Sequence, residues 1–287
     1  MRRSRNSDIP LSENPVLIDQ PTPRDLKIFE ILYWHKFLPS SWIRWYFPSA
    51  VTSQDFITRL GRLREKQNGY LRWSAWPLNT KAELNRVGVY ELALRGAKAI
   101  GRSVPPAVKD QDIPHDFIVS LHEASLRFQA RDAGVPFHFL EAATYHLPSG
   151  MRWVPDGHPI IIGAPGDETL IHSEIERRKW KESPEDTEEK LDKAHEYLKR
   201  RLYKDDAHKG LCAFLCTTPG RKKALMSYTA ERFGPTSFFL FATTQDWVRE
   251  GSYPKPSEPL VPVWDRVGHP SLKLFNTEVH IEHSETA

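Results

Sequence analysis

A proline-rich stretch with neither helical nor strand periodicity, GRSVPPAVKDQDIP at residues 101–114, interrupts the chain after its first third. At 287 residues the chain can support two modest cores, since one core usually serves about 100 to 200 residues. The break therefore predicts a linker at 105–114 joining an N-terminal domain at 22–104 to a second domain at 115–250. Residues 1–21 then form a flexible basic tail, and 251–287 a Pro-rich C-terminal arm whose closing LKLFNTEVHIEH could add an edge strand.

The two sides of the break differ in charge. The whole chain carries a net +3, but residues 1–110 hold 18 Lys and Arg against 10 Asp and Glu, a net of +8. The remainder holds 22 against 27, a net of −5. Such a dipole directs an anionic partner to the N-terminal half, and DNA is the commonest such partner. No apolar run approaches the roughly 18 to 20 residues of a spanning helix, and MRRSRNSDIPLSENP lacks the apolar core of a secretory signal, so a cytoplasmic protein without a membrane partner is expected. Cys212 and Cys216, both inside LCAFLC, exclude a disulfide framework and read as parts of a buried strand.

In the basic part, Pro23 after Thr22 opens a helix with Leu26, Phe29, Leu32 and Tyr33 at helical spacing. SSWIRWYF, bounded by Pro39 and Pro48, fits a second short helix. Thr52 and Asp55 have capping-box spacing for a third, running to about Gln67 with Phe56, Leu60 and Leu63 as its apolar stripe. Its other face carries Gln54, Thr58, Arg59, Arg62 and Lys66, side-chain types that reach base edges and phosphates from a major-groove helix. A hairpin follows, Tyr70 to Trp76 and Val87 to Leu92, with Arg72, Lys81 and Arg86 placed to meet backbone phosphate. Three helices and a hairpin, closed by the helix LALRGAKAIG, is the order of a winged helix-turn-helix. Trp34, Trp42 and Trp45 are expected to fill its small core.

Beyond the linker, helix and strand patterns alternate as α-β-β-β-α-β-α-β. The segments are HDFIVSLHEASLRFQAR, FHFLEAATY, MRWVPDGHPIIIG, ETLIHSEIE, TEEKLDKAHEYLKRRL, GLCAFLCTT, RKKALMSYTAERF and SFFLFATT, and they predict an α/β domain with a mixed sheet flanked by helices. Asp156 falls within or just beyond the second strand, and Glu174 and Glu176 alternate on the third, so both glutamates share one face. If the strands are neighbours, these acids could hold Mg2+ or Mn2+, the hard cations of phosphodiester cleavage, with Lys179 or Arg178 near the phosphate. The alternative is that the glutamates face solvent, balanced by the RRK run after them. His115 and His122, seven residues apart on one helix, lack a third ligand of matching spacing and read as packing or capping residues. The TPGRKK turn at 218–223 could hold a phosphate or be solvated. Tyr197, Tyr203 and Tyr228 are candidate nucleophiles among which the sequence does not choose.

Pro155-Asp156-Gly157 followed by HSEIE at 172–176 resembles the PD-(D/E)XK nuclease pattern. Together with YELALRGAKAI, PHDFIVSLHEA and FFLFATTQDW, the chain from about 22 to 247 is similar to the replication-relaxation family, which includes MobC-type plasmid relaxases. The resemblance implies a winged helix joined to a restriction-endonuclease-like domain in which Asp156, Glu174 and Glu176 bind metal and Glu123 adds a further acid. Glu176 stands where the nuclease pattern usually has the lysine that stabilises charge on the attacked phosphate; Lys179, past the strand end, is the substitute nearest in sequence. A glutamate there also resembles the replication-relaxation pattern.

The expected protein binds double-stranded DNA for a mobile genetic element, associated with the nucleoid or a plasmid, and uses Mg2+ or Mn2+ to nick one strand. Two other readings stay open. One is a non-catalytic transcription or replication regulator whose nuclease-like domain serves for homodimerisation or for docking other mobile-element proteins, and the other is an adaptor that binds proteins alone.

Overall fold

A computed structural model describes residues 17–47, 52–74, 89–103, 113–176, 184–203, 209–244, 256, 261 and 263–275. The chain divides into two compact units, Met1–Ala124 with Trp247–Glu258, and Ser125–Asp246 with Pro259–Ala287. It is a mixed α/β protein with one large mixed sheet. Among the described residues, no helix is long and apolar enough to cross a membrane.

In the first unit, α1 (Pro23–His35) begins with a reciprocal cap. Thr22 Oγ1 accepts from the Asp25 amide at 3.3 Å while Asp25 Oδ2 accepts from the Thr22 amide at 2.8 Å. Ile28, Phe29, Ile31 and Leu32 then bury the inward stripe. A three-residue strand, β1 (Phe37–Pro39), leads into α2 (Ser40–Trp45). Its pairing partner is remote, so local periodicity did not foretell it. Helix α3 (Ser53–Arg64), capped by Thr52, buries Phe56, Leu60 and Leu63, as their spacing requires, and stops short of Gln67. Strands β2 (Leu71–Ser74) and β3 (Val89–Leu92) pair antiparallel, and β1 completes the sheet in the order β1-β3-β2. Helix α4 (Leu94–Ala99) seats Gly96 so close to β2 that a Cβ there would stand 2.5 Å from the Tyr70 carbonyl oxygen, which accounts for the glycine. Of the three tryptophans expected in this core, Trp42 is fully buried and Trp34 partly so, whereas Trp45 is exposed at the end of α2.

Two boundaries move. Residues 17–21 are not a free tail: Ile18 is buried, its amide donates to Asn68 Oδ1 at 2.8 Å, and its carbonyl accepts from the Tyr70 hydroxyl. Helix α5 (Ile113–Asp132) begins inside the expected linker, and its length as far as Ala124 belongs to the first unit. There Asp116 pairs with Lys36 at 3.0 Å, and Glu123 with His35 at 3.5 Å, both members of the latter pair being buried. Ser120 donates to the His35 carbonyl. Every residue of the helix from Phe117 to Ala124 is buried.

The second unit is built on a seven-stranded sheet of order β12-β11-β10-β9-β8-β7-β4. Strand β4 (Phe137–Phe139), β7 (Ile160–Ile162) and β8 (Thr169–Glu176) form an antiparallel meander. Helix α6 (Pro184–Tyr203) then connects β8 to parallel β9 (Lys209–Cys216), and α7 (Pro219–Phe233) connects β9 to parallel β10 (Thr236–Thr243). Strands β9 and β10 are apolar and largely buried, with Cys212 and Cys216 in β9 as expected. MRWVPDGHPIIIG is not one strand. Pro155, Gly157 and Pro159 interrupt it, leaving β6 (Arg152–Trp153), which pairs with β5 (Tyr145–His146) in a separate ribbon, and β7. The C-terminal arm supplies β11 (Trp264–Val267) and β12 (His269–Leu272) to the sheet edge, ahead of the segment expected to do so.

The buried Asp25 carboxylate is held by Arg59 through two hydrogen bonds, Nε at 2.9 Å and Nη2 at 2.5 Å, tying α1 to α3. Burial alone would raise the Asp25 pKa, but Arg59 and Thr22 outweigh it and hold the carboxyl below its usual range. Arg59→Ala strands that charge and is expected to lower the unfolding free energy by about 2 kcal/mol at pH 7, read by urea denaturation of the full chain. Because the folded-state pKa is depressed, the stabilisation is present above about pH 4 and lost as the pH falls through the lower folded value, so the gap to wild type closes on acidification. A pH-independent loss under about 0.5 kcal/mol would show the pair to behave as a surface one.

Candidate carboxylate site

Strand β8 presents His172, Glu174 and Glu176 at alternate positions, and helix α6 lies against them. The side chains are buried, which rules out the solvated reading of the two glutamates: Glu174 is 0% exposed and Glu176 2%. Asp156, on the connection between β6 and β7, is drawn to the same strand by backbone pairing. Its amide donates to the Ser173 carbonyl at 3.1 Å, and its Oδ2 accepts from the Ile175 amide at 2.9 Å. The three acids therefore come together as their spacing suggested, at the carboxyl ends of parallel strands, the usual position of ligand sites in open α/β sheets.

At their centre stands a lysine that sequence reasoning missed. Lys190 Nζ lies 3.3 Å from Asp156 Oδ2, 3.4 Å from Glu174 Oε2 and 3.5 Å from Glu176 Oε1. Any two of these oxygens are consequently no more than about 7 Å apart, within the separation that would let them share one ion after small adjustments. Lys190 sits near the start of α6, in the run EEKLDKAHEYLK, where it looks like any helix-surface lysine; only the parallel crossover from β8 lays that turn over the acids. Arg221, from the first turn of α7, adds a second cation 3.5 Å from Glu176 Oε2. The TPGRKK turn is thus engaged with the cluster: Thr218 caps α7, Arg221 meets Glu176 and Lys222 pairs with Asp265 at 2.6 Å.

An aromatic group supports the cluster from one side. The Trp153 indole N–H donates to Glu174 Oε1 at 2.8 Å, and the Trp153, His172, Tyr145 and Tyr197 rings pack together with centroids 4.4 to 5.5 Å apart. Tyr197 is part of this packing, and the Tyr228 hydroxyl donates to Asp192 at 3.2 Å; the Tyr203 side chain lies outside the described residues. Burial, then the neighbouring Asp156 charge, push the Glu174 carboxyl well above the usual carboxylate range against the pull of Lys190 and Trp153. Burial works against the Lys190 ammonium, but the three carboxylates prevail and hold its pKa above the ordinary value. Burial, reinforced by Glu174, raises the Cys212 thiol, and burial with Glu176 pushes Cys216 up to about 12.

The remaining candidates sort by location. Lys179 lies outside the described residues. Glu123 enters the buried pair with His35 in the first unit and is not one of the carboxylates around Lys190. His122 is buried, and desolvation lowers its pKa to about 4, in keeping with a packing role; His115 Nδ1 is 3.2 Å from Asp116 Oδ1. On α3, Gln54, Thr58 and Arg62 are exposed, as are Lys66 just past its end and Arg72 on β2, whereas Arg59 is turned inward onto Asp25, unlike the outward face expected of it. Lys81 and Arg86 lie outside the described residues. Among the described residues, no three His, Cys, Asp or Glu side chains are arranged as a ready metal-ligand set; the acids instead surround an ammonium.

Because the folded state raises the Glu174 pKa, its contribution to stability is greatest below about pH 4.3 and is lost as the pH rises toward the folded value. In chelator-containing buffer, Glu174→Gln, which keeps an acceptor for Trp153, is therefore expected to melt above wild type at pH 8 and to lose that advantage at pH 5. A variant that melts lower at pH 8 would contradict this assignment.

Neither a family model nor a curated protein nor a solved structure matches this chain.

Proposed function

We propose that the chain is a DNA-binding protein of a mobile genetic element, in which a winged helix at about 17–103 is joined to a PD-(D/E)XK-like domain that nicks DNA with Mg2+ or Mn2+. The observation that carries the reading is the convergence of Asp156, Glu174 and Glu176 from separate segments at the carboxyl edge of the parallel strands. Buried carboxylates are costly to gather, so a cluster of three with two cations suits a site better than a scaffold. A strand meander followed by a helical crossover into a parallel strand supports the nuclease-like fold. The short sheet and three helices before it, with Gln54, Thr58 and Arg62 exposed on α3 and Lys66 exposed just past its end, support the winged helix. The association with mobile elements rests on the resemblance to the replication-relaxation family.

The donor set is all carboxylate oxygen, the chemistry that hard divalent cations take. Such an ion would polarise the scissile phosphodiester and neutralise its charge. Asp156, fixed by the Ile175 amide, and Glu174, fixed by Trp153, would orient it. Lys190 supplies the cation that the nuclease pattern places at the position held here by Glu176, and so takes the part expected of Lys179. The ammonium at the centre of the acids also favours a second reading, in which the cluster is a closed ion-pair network and the protein regulates DNA without cutting it.

Supercoiled plasmid carrying the cognate site separates the two. Mn2+- or Mg2+-dependent nicking is expected, reduced at least about a hundredfold by Asp156→Asn or Glu174→Gln, the size of effect usual for loss of a group stabilising transition-state charge. Nicking that ignores both substitutions, or its absence, would remove the enzyme reading. For the first unit, Arg62→Ala is expected to weaken duplex binding and to lower the slope of log K against log salt by about 0.9, one phosphate contact. Unchanged affinity and slope would reject α3 as the recognition helix.

A further inference from the structure

The anions of the cluster are its fixed part and Lys190 its movable part. Glu174 and Glu176 are buried, Glu174 is anchored to Trp153, and Asp156 is clamped along β8. Lys190 is one-third exposed, on a four-carbon stem projecting from α6. Glu174 Oε2 is buried and faces the Lys190 ammonium at 3.4 Å. A divalent ion draws oxygen ligands to about 2.0 to 2.6 Å, and the oxygens it would need are the three now turned on Nζ. Two cations cannot share that volume, because their repulsion at a few ångströms in a poorly solvated site is large.

We propose that Lys190 is an internal counter-ion that competes with a divalent cation for Asp156, Glu174 and Glu176, so that the cation enters only as the Lys190 side chain withdraws. The proposal rests on the cation reading of this site. Its consequence is that the apparent affinity for the ion is the intrinsic affinity reduced by the small fraction of molecules in which Lys190 has left. The arrangement holds the cluster folded without metal.

The test is titration of the full chain, free of DNA, with Mn2+ alone by calorimetry. Lys190→Met is expected to bind at least tenfold more tightly than wild type, Lys190→Arg no more tightly, and Glu174→Gln placed in the Lys190→Met background should abolish the gain. Equal affinities of wild type and Lys190→Met, at a site that Glu174→Gln removes, would overturn the competition while leaving the cation reading intact. No Glu174-dependent Mn2+ binding in any of these proteins would overturn both. A measurement on wild type covers the case in which Lys190→Met does not fold: saturating Mn2+ should speed acetylation of Lys190 by trace acetic anhydride, followed by mass spectrometry, at least threefold. An acetylation rate indifferent to Mn2+ would overturn the proposal.

Discussion

Three carboxylates gathered at one end of a buried sheet would repel one another strongly enough to distort it, and the second unit is arranged around answering that repulsion. Lys190 provides most of the answer from α6, and Arg221 adds to it from α7. Each helix is a crossover between parallel strands, so the cations arrive on the elements that the topology must place over the sheet in any case. The Trp153 hydrogen bond decides which way Glu174 points and couples the acids to an aromatic core.

The first unit solves a smaller version of the same problem. A single buried carboxylate, Asp25, is satisfied by the α1 cap and by two N–H donors on one edge of the Arg59 guanidinium, a geometry that lysine could not reproduce. This pair fixes α3 against α1 and leaves Gln54, Thr58 and Arg62 on the open side of the helix. The excess positive charge of this part of the chain is therefore not all available to a partner, since Arg59 is spent on the fold and Lys36 pairs with Asp116.

Much of the architecture was legible because the signals are local. Thr22 and Thr52 cap the helices whose starts they mark, Phe56, Leu60 and Leu63 form the stripe their spacing describes, and LCAFLC is a buried strand. Proline and glycine cut β7 away from β6 because neither supports a continuous ladder there, a break already encoded in PDGHP. The one-residue alternation of a strand was enough to put Glu174 and Glu176 on one side. What misled was charge without context. Arg59 has the same local surroundings in sequence as Arg62, yet one is turned to the core and the other to solvent, because only Arg59 lies opposite Asp25.

The shared face of Glu174 and Glu176 was thus determined by sequence alone, since the strand period requires nothing distant, whereas Asp156 reaches them only through its pairing with β8. Their counter-charge was decided by tertiary structure. Lys190 stands 14 residues beyond Glu176 and becomes its neighbour only because α6 packs against β8 on the way to parallel β9, a relation that no helical or strand period encodes. Glu123 shows the converse: its place on the helix before the sheet suggested membership of the cluster, and packing against His35 assigned it elsewhere. Electrostatic partners are chosen by distance in space, which falls to a few ångströms only after the backbone has closed, whereas caps, stripes and strand faces are settled within a turn or two of chain.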